Sequence, residues 1–126
     1  MSTPAEVARR LFSAYAAGDI ETLRSTLDDD LVAYVTNADA GIDVVNGRTA
    51  YLARLPDLAA TGGSLDVTQL VAVDAERFLA MVEVRAERNG MTLHNFAAFV
   101  GRTAGGQVHE LWMVDARPAY SDAFWT

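Results

Sequence analysis

The chain has 126 residues, which suits one domain, and its formal net charge of −7 works against nucleic-acid and anionic-membrane binding, because both need clustered positive charge. Cysteine is absent and all ten basic residues are arginine, so disulfides, thiolate metal sites and lysine Schiff bases are excluded. No stretch approaches the ~20 apolar residues of a membrane span, and no signal-peptide pattern is visible. We therefore expect one cytoplasmic domain over residues 1–126.

Helix signals dominate the first half of the chain. Ser2 or Thr3 can cap a helix that has Pro4 at its first position, and Gly18 ends it. Asp19 caps a second helix, which runs through residue 27. The pattern then predicts a solvated acidic turn, two short strands and a third helix shortened or kinked by a proline, over residues 28–30, 31–36, 42–45 and 49–58.

Strand signals dominate the second half. From Leu65 onward the apolar period changes from 3.6 to 2, and Asn89-Gly90 between two alternating runs is a strong hairpin signal. Helices followed by meandering strands predict an α+β fold. The predicted strands are Leu65–Val73, Phe78–Arg88, Met91–Val100 and Val108–Asp115, with a glycine-bearing turn over residues 101–106 before the last.

The Asn89-Gly90 turn fixes how two strands pair. It sets three pairs on one face: Ala86 with Leu93, Val84 with Asn95, and Val82 with Ala97. That face is apolar except for Asn95, so it must point inward, and Phe99 continues it. The opposite face is mixed and charged, with His94 and Phe96 pointing out.

The last strand has two possible registers. If Phe99 lies opposite Leu111, then Asn95 meets Asp115, and the inward residues are His109, Leu111, Met113 and Asp115. A one-residue slip would exchange every side chain and turn Asp115 outward. We favour the first register, because it places an apolar set inside.

Several stretches together resemble the SnoaL-like domains of the nuclear-transport-factor-2-like superfamily. They are LFSAYAAGDIETL (11–23), DDDLVAYV (28–35), NGRTAYL (46–52), GGQVHELWMVD (105–115) and the ending AYSDAFW (119–125). The resemblance implies a cone-shaped, curved antiparallel or mixed sheet wrapped around three N-terminal helices, a cystatin-like roll with an internal apolar pocket. It also implies a homodimer through the outer sheet face, where Phe96 and Trp112 would lie.

The catalytic residues of related enzymes are missing here. The positions that match the base and the two oxyanion donors of ketosteroid isomerases are Val35, Leu11 and Phe99. The positions that match the Asp–His pair of SnoaL-like cyclases are Met113 and Phe99. The Asp–Arg–Asp group of the related epoxide hydrolases is also absent, since every arginine is interpreted as outward-facing.

Asp115 is the remaining candidate for chemistry. A carboxyl among apolar side chains suits general acid–base work, and Asn95 could orient a ligand carbonyl or hold the carboxylate. Alternatively, Asp115 simply ends the strand at the solvent rim. The predicted pocket residues are Tyr15, Tyr34, Tyr51, Val82, Val84, Asn95, Ala97, Phe99, Leu111 and Met113, although each tyrosine could instead be a packing residue.

Three functions stay open. The first is binding of a small apolar, carbonyl-bearing molecule without catalysis. The second is a cofactor-independent isomerase, cyclase or dehydratase acting on a polyketide-, terpenoid- or steroid-like compound, with Asp115 moving the proton. The third is a dimerisation module with a filled core. No motif indicates a metal, cofactor or nucleotide.

Overall fold

The computed structural model describes residues 2–126 and contains four α-helices, one 3₁₀ turn and six strands in that range. The helices are α1 (Pro4–Ala17), α2 (Ile20–Thr26), α3 (Arg48–Arg54) and α4 (Pro118–Trp125), and the 3₁₀ turn is Ala59–Thr61. The strands are β1 (Leu27–Thr36), β2 (Ile42–Asn46), β3 (Ser64–Ala72), β4 (Arg77–Arg88), β5 (Met91–Ala104) and β6 (Gln107–Asp115). No helix among these residues is long and apolar enough to cross a membrane.

The strands form one mixed sheet in the order β2-β1-β6-β5-β4-β3. β1 and β6 are parallel, and the other neighbours are antiparallel. Helix α1 packs on β3, β4 and β5, while α3 packs on β1 and β2. The predicted α+β class is confirmed, with α4 as a helix beyond the three that were expected.

Caps and an apolar stripe explain helix α1. The Thr3 hydroxyl accepts a hydrogen bond from the Glu6 backbone N–H at 3.2 Å, and Gly18 ends the helix in the left-handed conformation at φ 70°. One side of the helix is buried against the sheet through Val7, Ala8, Leu11, Phe12 and Ala14. Full burial of a large apolar side chain such as Leu or Phe stabilises the folded state by about 1.5–3 kcal/mol.

The predicted boundary between the second helix and the first strand was wrong. Helix α2 ends at Thr26, because Leu27 is extended at φ −105° and ψ 136° and begins β1 as a fully buried residue. The acidic run 28–30 therefore lies in a strand and not in a turn, although Asp29 and Asp30 are exposed there. The predicted shortening of the third helix by a proline is confirmed: helix α3 ends at Arg54, because the ring of Pro56 disfavours helix in the preceding residue.

The β4–β5 hairpin has the predicted register. Asn89 and Gly90 adopt positive φ angles of 52° and 76°, and all three predicted pairs lie opposite each other. On the inward face, Val82, Ala86, Leu93 and Asn95 are buried. The turn and the alternation were therefore sufficient to place this wall of the fold.

The predicted pairing of β5 with β6 was wrong by two residues. Met113 lies opposite Phe99, and Asp115 lies opposite Ala97. The strand β5 continues through Gly101, which is a packing position rather than a turn, because a Cβ there would overlap the Phe78 ring. The turn is instead formed by Gly105 and Gly106. An offset of two preserves the side-chain alternation, so the predicted inward and outward faces are retained past the turn.

The exception is His109, which was expected to point inward. A bulge lies between the pairs Arg102–Glu110 and Thr103–Val108, and it gives the inward position to the fully buried Val108. The His109 ring lies beside the turn instead, with Nε2 3.1 Å from the Ala104 carbonyl oxygen.

Candidate functional site

The space between the sheet and the helices holds an apolar chamber of about 180 Å³. Helix α1, strands β3 to β6, helix α4 and the segment after α3 all contribute to its wall. The aliphatic and aromatic lining includes Leu11, Phe12, Leu23, Leu65, Val82, Val84, Leu93, Ala97, Phe99 and Met113. A chamber lined in this way favours an apolar ligand group.

A wider and more polar vestibule of about 550 Å³ adjoins the chamber. Both cavities are bounded by Tyr51, Leu55, Pro56, Met113, Asp115, Ser121 and Trp125, so the two spaces meet at these residues. The vestibule adds polar groups, among them Asn37, Asp39, Asp43, Arg54 and Asp122. A ligand can therefore place its apolar part inside and its polar part at the mouth.

The loop after β1 forms one edge of the vestibule through Asn37 and Asp39. The Asn37 amide donates to Asp43 at 3.0 Å, and the Arg54 guanidinium lies 2.9 Å from the other carboxylate oxygen. These two contacts hold the pKa of Asp43 below its usual range. Arg54, which the sequence suggested only as a surface residue, is thus fixed at the mouth.

Asn95 and Asp115 are the polar pair in the chamber wall. Asn95 is buried and its Nδ2 donates to Asp115 Oδ1 at 2.7 Å. The same oxygen accepts the backbone N–H of Arg117 at 2.8 Å. Among residues 2–126, Asn95 Oδ1 has no hydrogen-bond partner, and no hydrogen bond reaches Asp115 Oδ2. The pair therefore keeps acceptor capacity for a ligand.

Tyr51 supplies a hydroxyl where the chamber meets the vestibule. Its side chain is 7% exposed, and burial raises the pKa of this hydroxyl well above its usual value. The hydroxyl therefore stays protonated at physiological pH. It makes no hydrogen bond to another part of residues 2–126, so it is a neutral donor that a ligand can use.

Tyr15 lines the chamber as predicted, but its hydroxyl is already engaged. It donates to the Pro56 carbonyl oxygen at 2.8 Å and so ties α1 to the segment after α3. Burial, followed by the nearby Tyr51 and Asp57, raises its pKa. Tyr15 is positioned to hold the wall together rather than to orient a ligand.

Two predicted pocket residues lie elsewhere. Tyr34 is on the outer sheet face, because the buried neighbours Ala33 and Val35 take the inward positions of β1. Its ring stacks on Trp112 of the parallel strand β6, with centroids 5.4 Å apart and planes within 9°. Leu111 faces inward but packs in the core and does not line the chamber.

The outer face carries the residues proposed for an interface. Phe96 is 43% exposed, whereas Trp112 is half-buried by its stack with Tyr34. Beside Phe96, hydrogen bonds from His94 and the charge of Arg85 hold the pKa of Glu83 below its usual range. Whether a second copy covers this face stays a prediction.

Helix α4 closes the site and was missed as a helix. Ser121 and Trp125 line both cavities, and the buried Phe124 anchors the helix against Leu58, Ala86 and Leu93. The only sequence signals were Pro118, which suits a first helical turn, and the closing residues of the family-like tail. Across residues 2–126 no group of three or more His, Asp or Glu side chains could hold a metal ion.

Comparisons with known proteins agree with this architecture. A family model described as a SnoaL-like domain matches residues 8–111. An uncharacterized protein of Mycobacterium tuberculosis is 30% identical over 123 residues, which make up 95% of this chain and 94% of that protein.

Two solved structures show the same fold. Bal32a, from a soil-derived mobile gene cassette, superposes with a TM-score of 0.83 at 23% identity and covers 98% of this chain and 96% of its own. IdmH of Streptomyces antibioticus, a proposed polyketide cyclase, has a TM-score of 0.73 at 17% identity and covers 96% of this chain and 97% of its own. The fold expected from the sequence resemblance is confirmed.

Proposed function

This chain belongs to the SnoaL-like domain family, and from that premise we propose that it binds a small, largely apolar molecule carrying a carbonyl group. The observation that carries the proposal is an apolar chamber with few polar groups in its wall: Tyr51 and Asp115 lie where it meets the vestibule, and Asn95 is hydrogen-bonded to Asp115. Apolar walls with a few placed polar groups are typical of small-molecule sites.

The chamber volume sets the size of the apolar group. An apolar cavity of ~150 Å³ is enough to hold benzene. The chamber here is about 180 Å³, so it accommodates one such ring, and the vestibule of about 550 Å³ takes the rest of the molecule.

Tyr51 is the group that recognises the carbonyl in this proposal. Its hydroxyl is neutral and without a partner in residues 2–126, and the Tyr51 side chain belongs to a residue that borders both cavities. A carbonyl oxygen only accepts hydrogen bonds, so a buried hydroxyl donor suits it.

The first experiment is native mass spectrometry of the freshly purified protein, followed by identification of any released molecule. Binding is then measured by calorimetry with 2-acetylnaphthalene and with 2-ethylnaphthalene, which has the same shape without the carbonyl. We expect the ketone to bind about tenfold more tightly, and Tyr51→Phe to remove that preference. Tyr34→Phe, the matched change on the outer face, should leave it intact. If neither compound bound, the proposal would be contradicted.

A catalytic role for Asp115 is the second candidate, and one observation favours it. Asp115 borders the same two cavities as Tyr51, and its Oδ2 accepts no hydrogen bond from residues 2–126. A carboxylate beside a carbonyl that is hydrogen-bonded by Tyr51 could remove the α-proton, and the hydroxyl would stabilise the enolate oxygen. The proton moves to Asp115 and returns to the same carbon.

This reaction can be followed without knowing the natural substrate. The methyl protons of 2-acetylnaphthalene exchange with D₂O if the enolate forms, and proton NMR measures the rate. We expect the protein to accelerate exchange and Asp115→Asn to abolish the acceleration. Equal rates with the protein and with buffer would leave the site as a binding site only.

We also propose that two copies pair through the outer sheet face. Met81, Phe96 and Val114 are exposed apolar side chains there, on neighbouring strands β4, β5 and β6. Exposed apolar groups in one patch favour burial by a partner. Of these three side chains, Phe96 belongs to a residue that also borders the chamber, whereas Met81 and Val114 do not.

A further inference from the structure

The amide of Asn95 is satisfied at one end and unsatisfied at the other. Nδ2 donates to Asp115 Oδ1 at 2.7 Å, while Oδ1 is buried without a partner among residues 2–126. If the amide were flipped, Asn95 Oδ1 would face the Asp115 carboxylate oxygen, and neither atom could donate a hydrogen bond. The carboxylate therefore fixes the orientation of the Asn95 amide. Asn95 is 5% exposed, and bulk solvent does not reach it.

This acceptor lies in the wall of a cavity. Asn95 lines the chamber between Val84, its partner across the hairpin, and Ala97 on the same strand. Both neighbours are aliphatic and offer no side-chain donor. Buried acceptors without a donor are rare in native proteins, and each needs an explanation. Oδ1 itself is closed off in this conformation, so a ligand group in the chamber reaches it once the amide turns toward the chamber.

We propose that the ligand carries a hydroxyl group, which donates its hydrogen bond to Asn95 Oδ1. The inference rests on the proposed function and deepens it, because it adds a second polar group to the carbonyl bound at Tyr51. The ligand is then an apolar hydroxy-carbonyl compound. The χ2 torsion of asparagine is soft, so the amide can turn toward the hydroxyl while Nδ2 stays on Asp115.

A hydroxyl fits this position better than an ammonium group. Moving a neutral hydroxyl from water into an apolar chamber costs far less than moving a charged group. One carboxylate is present beside Asn95, and its Oδ1 already accepts two hydrogen bonds. The neutral donor therefore matches both the lining and the free acceptor.

The test compares 2-naphthol with 2-methoxynaphthalene by calorimetry. The ether keeps the ring and the oxygen but cannot donate a hydrogen bond. We expect the wild-type protein to bind 2-naphthol about tenfold more tightly. Asn95→Leu should reduce this ratio to about one, whereas Asn46→Leu, the same change at an exposed position, should keep it.

A spectroscopic measurement on the wild-type protein covers the case in which Asn95→Leu does not fold. The side-chain amide signals of Asn95 should shift when 2-naphthol binds and stay in place with the ether. Equal affinities for the two compounds in the wild-type protein would overturn the hydroxyl assignment. If 2-naphthol, its ether and 2-ethylnaphthalene all failed to bind, the proposed function itself would fall.

Discussion

Asn95 and Asp115 meet over 2.7 Å although they do not lie opposite each other in the sheet. Asp115 pairs with Ala97, so the amide reaches diagonally from β5 to the last residue of β6. The same carboxylate oxygen accepts the Arg117 N–H, which begins the turn into α4. One hydrogen-bonded pair therefore links the chamber wall to the helix that closes it.

Replacing Asn95 by aspartate should make stability depend on pH. Two carboxylates side by side cannot both be charged without repulsion, so the pKa of one of them rises. The cost accumulates as pH rises from the unfolded-state pKa of about 4 toward that raised pKa and is complete above it, so we expect the unfolding free energy of Asn95→Asp to fall by about 2 kcal/mol more at pH 8 than at pH 5. Urea unfolding at both pH values measures the difference. Asn95→Leu removes the same hydrogen bond without adding a charge, so its loss should be equal at the two pH values.

The hairpin wall of the site could be predicted from the sequence because its signals are local. Asn89-Gly90 fixes the turn, and the strict alternation beside it fixes which side chains point inward. The last strand lacks such a signal. Gly101, Gly105 and Gly106 all resemble turn residues, and only the position of the Phe78 ring shows that Gly101 belongs to the strand. A contact between residues distant in sequence decided that register.

Gly101→Ala tests this contact. A Cβ at Gly101 would overlap the Phe78 ring, which is fully buried and cannot move far. Overpacking of this kind costs about 1–3 kcal/mol of unfolding free energy. Phe78→Leu should relieve the overlap, so a double-mutant cycle by urea unfolding should give a favourable coupling of at least about 1 kcal/mol. Additive effects of the two changes would mean that the ring does not restrict Gly101.

The tyrosines of the site could be separated only by structure. Tyr15, Tyr34 and Tyr51 all follow patterns that permit a pocket position. The outward position of Tyr34 follows from burial of its neighbours, and the engagement of Tyr15 depends on Pro56, 41 positions away. Hydroxyl contacts of this range leave no periodic signal in a sequence. Tyr51 was therefore predicted only as one of three candidate pocket tyrosines, and its free hydroxyl was not predicted.

Tyr51 should make the protein sensitive to alkaline pH. Burial raises the pKa of its hydroxyl, so the folded state keeps a proton that the unfolded state releases above pH ~10. This stability is fully present below pH ~10 and is lost as pH rises toward the folded-state pKa, at up to about 1.4 kcal/mol per pH unit. The chain has no lysine or cysteine to titrate in the same range.

The measurement is urea unfolding of the wild-type protein and Tyr51→Phe at pH 7, 9 and 11. We expect the difference in unfolding free energy between the two proteins to be constant from pH 7 to pH 9, because the Tyr51 hydroxyl is protonated in both the folded and the unfolded state there. Between pH 9 and pH 11 the unfolding free energy of the variant should fall by about 1 kcal/mol less than that of the wild type. Equal losses at pH 11 would show that Tyr51 titrates alike in the folded and unfolded states.

Phe96→Glu tests pairing through the outer sheet face. In a symmetric pair the same patch faces itself, so each added carboxylate would be buried against apolar groups and near its copy. We expect light scattering after size exclusion to give twice the monomer mass for the wild-type protein and the monomer mass for this variant. Ile20→Glu, at an exposed apolar position on helix α2 and away from the outer sheet face, should stay dimeric. A dimeric variant, or a monomeric wild-type protein, would place any interface elsewhere and leave the exposed Phe96 without a partner.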